Sequence, residues 1–329
     1  MIITRTPYRI SFFGGGTDYP DWFIKNGGAV VSATIDKYIY ISSRFLPPFF
    51  EKRHRIVWSK VEVVNKFQEI EHPVIREGLK YLKFSQTKGL DIHYQADLPA
   101  RSGMGSSSAF TVGFLNCLKK LIKNKFSKMD LALDAIHLEQ NLLRETVGCQ
   151  DQIACAFGGL NKITFHKNKK FLVEPLVLPS GRIEELESNL YLIYLGIDRF
   201  ASQVAQKFVE NFKERKNNLN KIFSFVPDAI KILESKKNLD EFGELLHETW
   251  MQKKAVHSII SNDRVEALYN TATKNGAIGG KLLGAGKSGF MLFYVNKSNK
   301  KKFLSGIKNY LYVPFKFSYN GSHIIQKGY

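Results

Sequence analysis

At 329 residues, with 44% hydrophobic and 24% charged positions, the chain has ordinary globular composition and is long enough for two domains. Its three cysteines, Cys117, Cys149 and Cys155, are odd in number and lack CxxC spacing, which excludes a disulfide framework and a cysteine-based zinc site and points to a reducing compartment. The formal net charge of +18 raises nucleic acid as a partner, but the lysine-rich runs at 213–221 and 297–308 come without a helix-turn-helix, zinc-finger or RRM-type motif and read as solvated faces.

The first residues lack the charged-then-apolar layout of a signal peptide, and no apolar run is long enough to span a bilayer, so a cytoplasmic protein with no membrane partner is expected. A strand is predicted over 1–11, entering the turn Phe12-Phe13-Gly14-Gly15-Gly16-Thr17-Asp18-Tyr19-Pro20, where three glycines force an unusual backbone path. A short helix follows over 21–25. The β-rich stretches 29–35, 38–44 and 56–64 suggest an antiparallel layer, with a helix over 72–81. Alternation of apolar Leu90, Ile92, Tyr94 and Ala96 with polar neighbours then predicts a half-buried strand over 89–97.

The stretch that follows, Leu98-Pro99-Ala100-Arg101-Ser102-Gly103-Met104-Gly105-Ser106-Ser107-Ser108-Ala109, runs from a loop of small residues into a helical pattern. Phe110, Phe114, Leu115, Leu118, Leu121 and Ile122 recur at spacings of three and four, which puts the serines at the cap and first turn. Free N–H groups and the positive helix end attract anions, and glycines allow close backbone approach. Arg101 through Ser108 are therefore candidates for a phosphate cradle, although a flexible Gly/Ser turn has the same composition.

A helix over 128–147 opens with a capping box, Ser127 with Asp130. On its stripe Ala132, Ile136, Glu139 and Leu143, an acid stands where an apolar residue is expected. Glu139 lies either at the solvent edge or against a partner, and a magnesium ion on phosphates would suit a carboxylate. In Gly148-Cys149-Gln150-Asp151-Gln152, Asp151 fits both a helix cap and a proton acceptor.

Strands are predicted over 160–165, 171–178 and 190–197, then helices from 200 to about 276. The change in pattern places a domain boundary at 1–189 and 190–329. Strands over 288–295 and 312–318 flank a helix over 299–310, and the whole is α+β. The glycine cluster at 279–289 fails two phosphate motifs. Lys281 stands where a Walker A loop needs its first glycine, and a strand pattern follows, where both Walker and Rossmann loops need a helix. With no HRD or DFG tripeptide in the chain, the cluster reads as a tight loop lining a shared site, with Gly284 and Gly286 at its tip. Absence of HExxH and G-x-S-x-G argues against a metalloprotease or a serine hydrolase.

Thr6 to Asp18, Pro99 to Ala109 and Lys281 to Phe290 together resemble the three ordered motifs of the GHMP small-molecule kinases (galactokinase, homoserine kinase, mevalonate kinase, phosphomevalonate kinase) over nearly the whole chain. The form Gly-Gly-Gly-Thr-Asp-Tyr-Pro-Asp-Trp, followed by Gly27-Gly28-Ala29-Val30 and Thr34-Ile35-Asp36-Lys37-Tyr38, is most similar to the bacterial D-glycero-D-manno-heptose 7-phosphate kinase branch. The resemblance implies a two-domain fold, with an N-terminal domain like ribosomal protein S5 domain 2 and a ferredoxin-like C-terminal domain. It implies ATP and Mg2+ as cofactors and transfer to the anomeric hydroxyl of a sugar phosphate, giving a 1,7-bisphosphate for nucleotide-activated heptose of surface polysaccharide.

Carried over residue by residue, Gly103 to Ser108 would wrap the ATP phosphates, Ser107 and Glu139 would hold magnesium, Asp151 would be the base and Arg9 would neutralise developing charge. Gly15, Gly16, Thr17 and Asp18 would face the sugar. Gly15 and Gly16 stand where galactokinases carry Glu and His, which argues against galactose. A kinase of a free sugar such as L-fucose, or a non-enzymatic sensor of the same fold, are the other readings, and retention of Ser107, Glu139 and Asp151 favours the enzyme. Arg199 with Ser202, after an apolar strand and opening a helical run, is the expected clamp for the substrate's own phosphate, with Arg53-His54-Arg55 next in line. A monomer or homodimer is expected.

Overall fold

β1 (Ile2–Phe13) and β2 (Gly28–Leu46) form the spine of the larger of two sheets, and the turn between them contains α1 (Pro20–Asn26). In the computed structural model residues 1–50, 53–85, 88–123, 125–179, 181–197, 207, 209, 210, 212 and 214–327 are described. β2 is 19 residues long and has different partners along its length. Residues 28–33 pair with β6 (Leu160–Phe165), residues 39–46 with β5 (Gly89–Ala96), and β1 runs antiparallel on its other side. β3 (His54–Val57) and β4 (Val61–Val64) extend the sheet beyond β5, and β7 (Phe171–Pro175) extends it beyond β6.

α3 (Ser106–Leu121) packs on β1 and β2, and every residue from Ala109 to Lys119 is buried, so it is the central helix of this half. α4 (Lys128–Ile136) and α5 (Gln150–Phe157) pack against it, with α2 (Pro73–Tyr81) alongside and α6 (Arg182–Asn189) leading out of the sheet.

From Leu190 the chain builds a second sheet: β8 (Leu190–Gly196), β9 (Gly279–Leu282), β10 (Gly289–Tyr294) and β11 (Leu311–Val313), all antiparallel in the order β11-β8-β10-β9. α7 (Lys216–Glu234), α8 (Asp240–Val256) and α9 (Asp263–Lys274) lie between its first two strands and α10 (Lys300–Gly306) between its last two. A β-α-β-β-α-β connection with that strand order is the ferredoxin-like arrangement the resemblance implied. The sheet assignment therefore changes at the 189/190 junction and changes back once, because β12 (His323–Lys327) pairs with β1 in the larger sheet. Among the described residues no helix is long and apolar enough to cross a membrane.

Several elements differ from the sequence expectation. The two strands at 29–35 and 38–44 are one strand, with the break absorbed by a register shift of β1 between Pro7 and Arg9. The stretch 56–64 is a hairpin, and the expected strand over 312–318 keeps pairing only at Leu311–Val313, with an isolated bridge from Phe317 to Ile35. The helix expected over 128–147 keeps α geometry only to Ile136, continues as a π turn over His137–Leu142, and ends there. Its Ser127–Asp130 capping box is present. Arg199 and Ser202 lie outside the described residues.

Candidate active site

Three loops meet where the two sheets approach each other. The first ends β1, the second leads from β5 into α3, and the third, residues 283–288, joins β9 to β10. The second and third touch through glycines. A Cβ on Gly103 would lie 2.5 Å from Leu283 O, and one on Gly284 would lie 2.4 Å from the Gly103 Cα, so neither position tolerates a side chain without parting the loops.

Gly105 is the N-cap of α3, in a left-handed conformation with φ +74°, and the helix begins at Ser106. All three serines therefore occupy the first turn, with the glycine as cap in place of a serine. The Ser106 hydroxyl accepts from the Arg101 N–H at 3.0 Å and closes the loop, while the Ser102 Oγ is buried with no partner. Ser107 is exposed and Ser108 is buried. The first-turn N–H groups, glycine surroundings and orphaned Ser102 hydroxyl fit a bound phosphate.

Arg9 and Asp151 form the polar centre. The guanidinium donates from Nε to Oδ1 and from Nη2 to Oδ2, both at 2.7 Å, and Nη1 donates to the Gly103 carbonyl at 2.8 Å. One arginine thus ties Asp151 to the phosphate loop through a bidentate fork. A Cβ on Gly105 would meet Arg9 Cγ at 3.1 Å and Asp151 Oδ2 at 3.3 Å, so the loop passes directly over the pair. Asp151 lies in the first turn of α5, but the N-cap is Cys149, and the Asp151 carboxylate is held by Arg9. The helix-cap reading does not describe it.

Glu139 is fully buried, which decides the stripe anomaly against the solvent edge. Its Oε2 accepts from Ser108 Oγ at 2.9 Å and from Gln152 Nε2, while Oε1 is buried with no partner. Burial pushes its carboxyl up to about 7 against the hydrogen bonds that lower it. The residue sits on the π turn, whose extra residue re-aims a side chain relative to a regular helix. An orphaned, desolvated carboxylate oxygen on the residue that Ser108 of α3 reaches fits a hard divalent cation, and Ser107, the second oxygen the resemblance implies, is exposed on the same first turn. The hydroxyl bonded to Glu139 is that of Ser108, not Ser107.

The β1 loop presents Asp18. Its Oδ1 accepts from Gly16 N at 2.9 Å and its Oδ2 from Gln150 N at 3.4 Å. Burial, with Asp151 adding, pushes its carboxyl up to about 6. Thr17 is committed to the loop itself, its hydroxyl donating to the carbonyls of Gly14 at 2.8 Å and Ala29 at 3.0 Å. Gly284 and Gly286 lie on the third loop, with Gly284 against Gly103. In the Arg53-His54-Arg55 cluster, Arg55 is bound to Asp91 by two hydrogen bonds of 2.8 Å and His54 is buried.

Sequence reasoning missed Gln150, Gln152 and Ser11. The Gln150 side chain accepts from Ser11 Oγ at 2.7 Å, and its amide nitrogen lies 3.4 Å from Asp151 Oδ1. The signal was present: both glutamines flank Asp151 in the quoted pentapeptide.

Residues 65–159 match the family described as GHMP kinases N terminal domain, and residues 229–312 match GHMP kinases C terminal. A relative named D-glycero-alpha-D-manno-heptose 7-phosphate kinase, from Campylobacter jejuni, is 30% identical over 93% of both chains. A bifunctional fucokinase/GDP-fucose pyrophosphorylase from Arabidopsis thaliana is 26% identical over 90% of this chain and 30% of its own length. Among solved structures, a D-glycero-D-manno-heptose 1-phosphate kinase from Bacteroides thetaiotaomicron superposes with a TM-score of 0.74 at 24% identity, over the whole of both chains. A Lactococcus lactis galactokinase with bound galactose superposes with a TM-score of 0.77 at 18% identity, over 98% of this chain and 94% of the other. With both family domains matched in order and the three motif loops meeting at one site, the chain belongs to the GHMP kinases.

Proposed function

We propose that this protein is an ATP-dependent sugar-phosphate kinase that phosphorylates the anomeric hydroxyl of D-glycero-D-manno-heptose 7-phosphate. The observation that carries the phosphoryl-transfer reading is the Arg9–Asp151 fork lying directly under Gly105 at the N-terminus of α3. That arrangement supports the reading because a carboxylate and a guanidinium lie against the glycine loop that would hold the phosphates. The heptose phosphate is suggested by similarity to the Campylobacter jejuni relative.

In this reading the first-turn N–H groups of α3 and the loop from Arg101 to Gly105 hold the nucleotide phosphates, and Ser107 with Glu139 holds magnesium, which supplies charge neutralisation at those phosphates. Asp18, with the Gly15–Gly16 backbone, receives sugar hydroxyls. The acceptor oxygen forms a bond to the γ-phosphorus as the bond to the β,γ-bridging oxygen breaks, ADP leaves, and the hydroxyl proton passes to Asp151. Arg9 orients that carboxylate and its cation faces the negative charge that spreads over the transferred phosphoryl group. Little covalent chemistry is asked of the protein, so positioning and charge dominate.

A panel of sugars and sugar phosphates, read by ADP release, tests this. The heptose 7-phosphate is expected to give the highest kcat/KM, and preference for L-fucose or another free sugar would replace it. The fucokinase similarity is the specific reason to include L-fucose.

A further inference from the structure

Two lysines from the second half of the chain end on backbone carbonyls, and the reaction above uses neither. Lys281 on β9 is 3% exposed and its Nζ donates to the Phe12 carbonyl at 2.7 Å, holding β9 against the end of β1. Lys253, in the last turn of α8, is half-buried, and its Nζ donates to the carbonyls of Leu282 at 3.1 Å and Gly284 at 2.5 Å. The adjacent Lys254 is paired with Glu266 at 3.0 Å.

α8 and β9 touch backbone to backbone, since a Cβ on Gly279 would lie 2.0 Å from Gly243 O. That close packing fixes where the last turn of α8 stands relative to the exit of β9. At Gly284 the chain bends out of the strand with φ +70°. The far end of the 283–288 loop is held by other groups: Lys287 N donates to the Ile260 carbonyl at 2.9 Å, and Asn262 Nδ2 to the Lys287 carbonyl at 3.0 Å. Lys253 holds the Gly284 end. Gly284 rests on the phosphate loop, a Cβ there falling 2.4 Å from the Gly103 Cα, and the Gly103 carbonyl accepts from Arg9 Nη1 at 2.8 Å. A continuous path of contacts thus runs from the Lys253 ammonium through Gly284 and Gly103 to Arg9 and Asp151. Burial, with Arg9 adding, pushes that ammonium down to about 7, which puts its charge within electrostatic reach of the guanidinium.

We propose that Lys253 is a positioning residue for the nucleotide, its ammonium pinning the Leu282 and Gly284 carbonyls so that Gly284 holds Gly103 where the phosphate loop receives ATP. The proposal rests on the reading of the α3 N-terminus as the nucleotide cradle. With an apolar side chain at 253 both carbonyls lose their donor, and the bend is left to a glycine, the residue with the widest backbone freedom.

The test compares wild type with Lys253→Met, Lys253→Arg and Lys254→Met. ADP titrated with magnesium into the folded proteins should bind Lys253→Met about tenfold more weakly than wild type, the scale of a lost charge-assisted contact. Lys253→Arg should recover part of the loss because it keeps a charged donor, and Lys254→Met should match wild type. In turnover the loss should appear in the KM for ATP, with the KM for the acceptor little changed. Hydrogen exchange separates positioning from plain stability: amides of 101–106 and 283–288 should exchange faster in Lys253→Met while those of β6 keep wild-type rates. Wild-type ADP affinity in Lys253→Met, an equal loss in Lys254→Met, or faster exchange spread over the whole chain overturns the proposal. If wild type binds no ADP, the cradle reading falls, and the exchange comparison still decides Lys253, because rates at 101–106 that ignore the substitution overturn the positioning role.

Discussion

Asp151, partly exposed, and Glu139, fully buried, are two carboxylates set in different surroundings by their neighbours. Asp151 faces a bidentate arginine, and Asp151→Asn keeps the shape while removing the proposed proton acceptor. The expected result is a kcat lowered by about 10² or more with ATP affinity retained, measured by steady-state kinetics. Glu139 has only neutral donors and an orphaned oxygen. Its folded value of about 7 stands above the ordinary 4.5, so the native state holds more protons than the unfolded chain between those pH values, and stability falls as pH rises through that window. At about 1.4 kcal/mol per unit the effect is on the order of 3 kcal/mol. Thermal midpoints of magnesium-free protein should therefore decline from pH 5 to pH 7 relative to Glu139→Gln, and magnesium should reverse the decline in wild type alone. A pH dependence identical in the two proteins would remove Glu139 from the proposed metal site.

At the scale of elements, the contact between the phosphate loop and the 283–288 loop depends on two glycines. Gly284→Ala would place a methyl 2.4 Å from the Gly103 Cα at a backbone φ of +70°. The expected cost is about 1–2 kcal/mol of stability, with a raised KM for ATP as the loops part. A denaturation midpoint and KM both matching wild type would show that the loops move freely. The phosphate loop was legible in the sequence because its requirements are local: small residues, positive-φ glycines and an amphipathic run that fixes where the helix begins. The π turn was not legible, since 131–143 has the period of a regular helix, and only packing against α3 and α5 decides where a residue is inserted. The glycine cluster at 279–289 reads as a tight loop, yet Gly279–Leu282 is a strand whose four residues are all buried. Glycine there reflects close backbone approach, which composition does not distinguish from a turn.

The whole molecule is closed by its last strand. β12 completes the edge beside β1, and Ser322 hydrogen-bonds Thr6 Oγ1 at 2.7 Å and Asn116 Nδ2 at 2.9 Å in the buried interior. Removing 321–329 should cost on the order of 3 kcal/mol, since buried partners on β1 and α3 lose their hydrogen bonds and an edge opens. A chemical denaturation curve checks this, and an unchanged midpoint would make β12 an ornament. Nothing in His323–Lys327 announces a strand of the first sheet, because five residues ending in a polar tail satisfy no period strongly enough.

The sequence by itself determined the α+β class, the order of the three loops and the residues that line them, because glycine freedom, serine at a helix start and an acid on an apolar stripe each act over a few neighbouring positions. Only the tertiary structure decided which groups meet. Arg9 and Asp151 are 142 residues apart, and Ser108 and Glu139 are 31 apart. Ser108 reaches Glu139 because α3 turns that serine inward and leaves Ser107 exposed. Lys253 and Lys254 are indistinguishable along the chain. One is paired with Glu266 and the other donates to the Leu282 and Gly284 carbonyls, because successive residues on a helix point about 100° apart and the 283–288 loop lies on one side only.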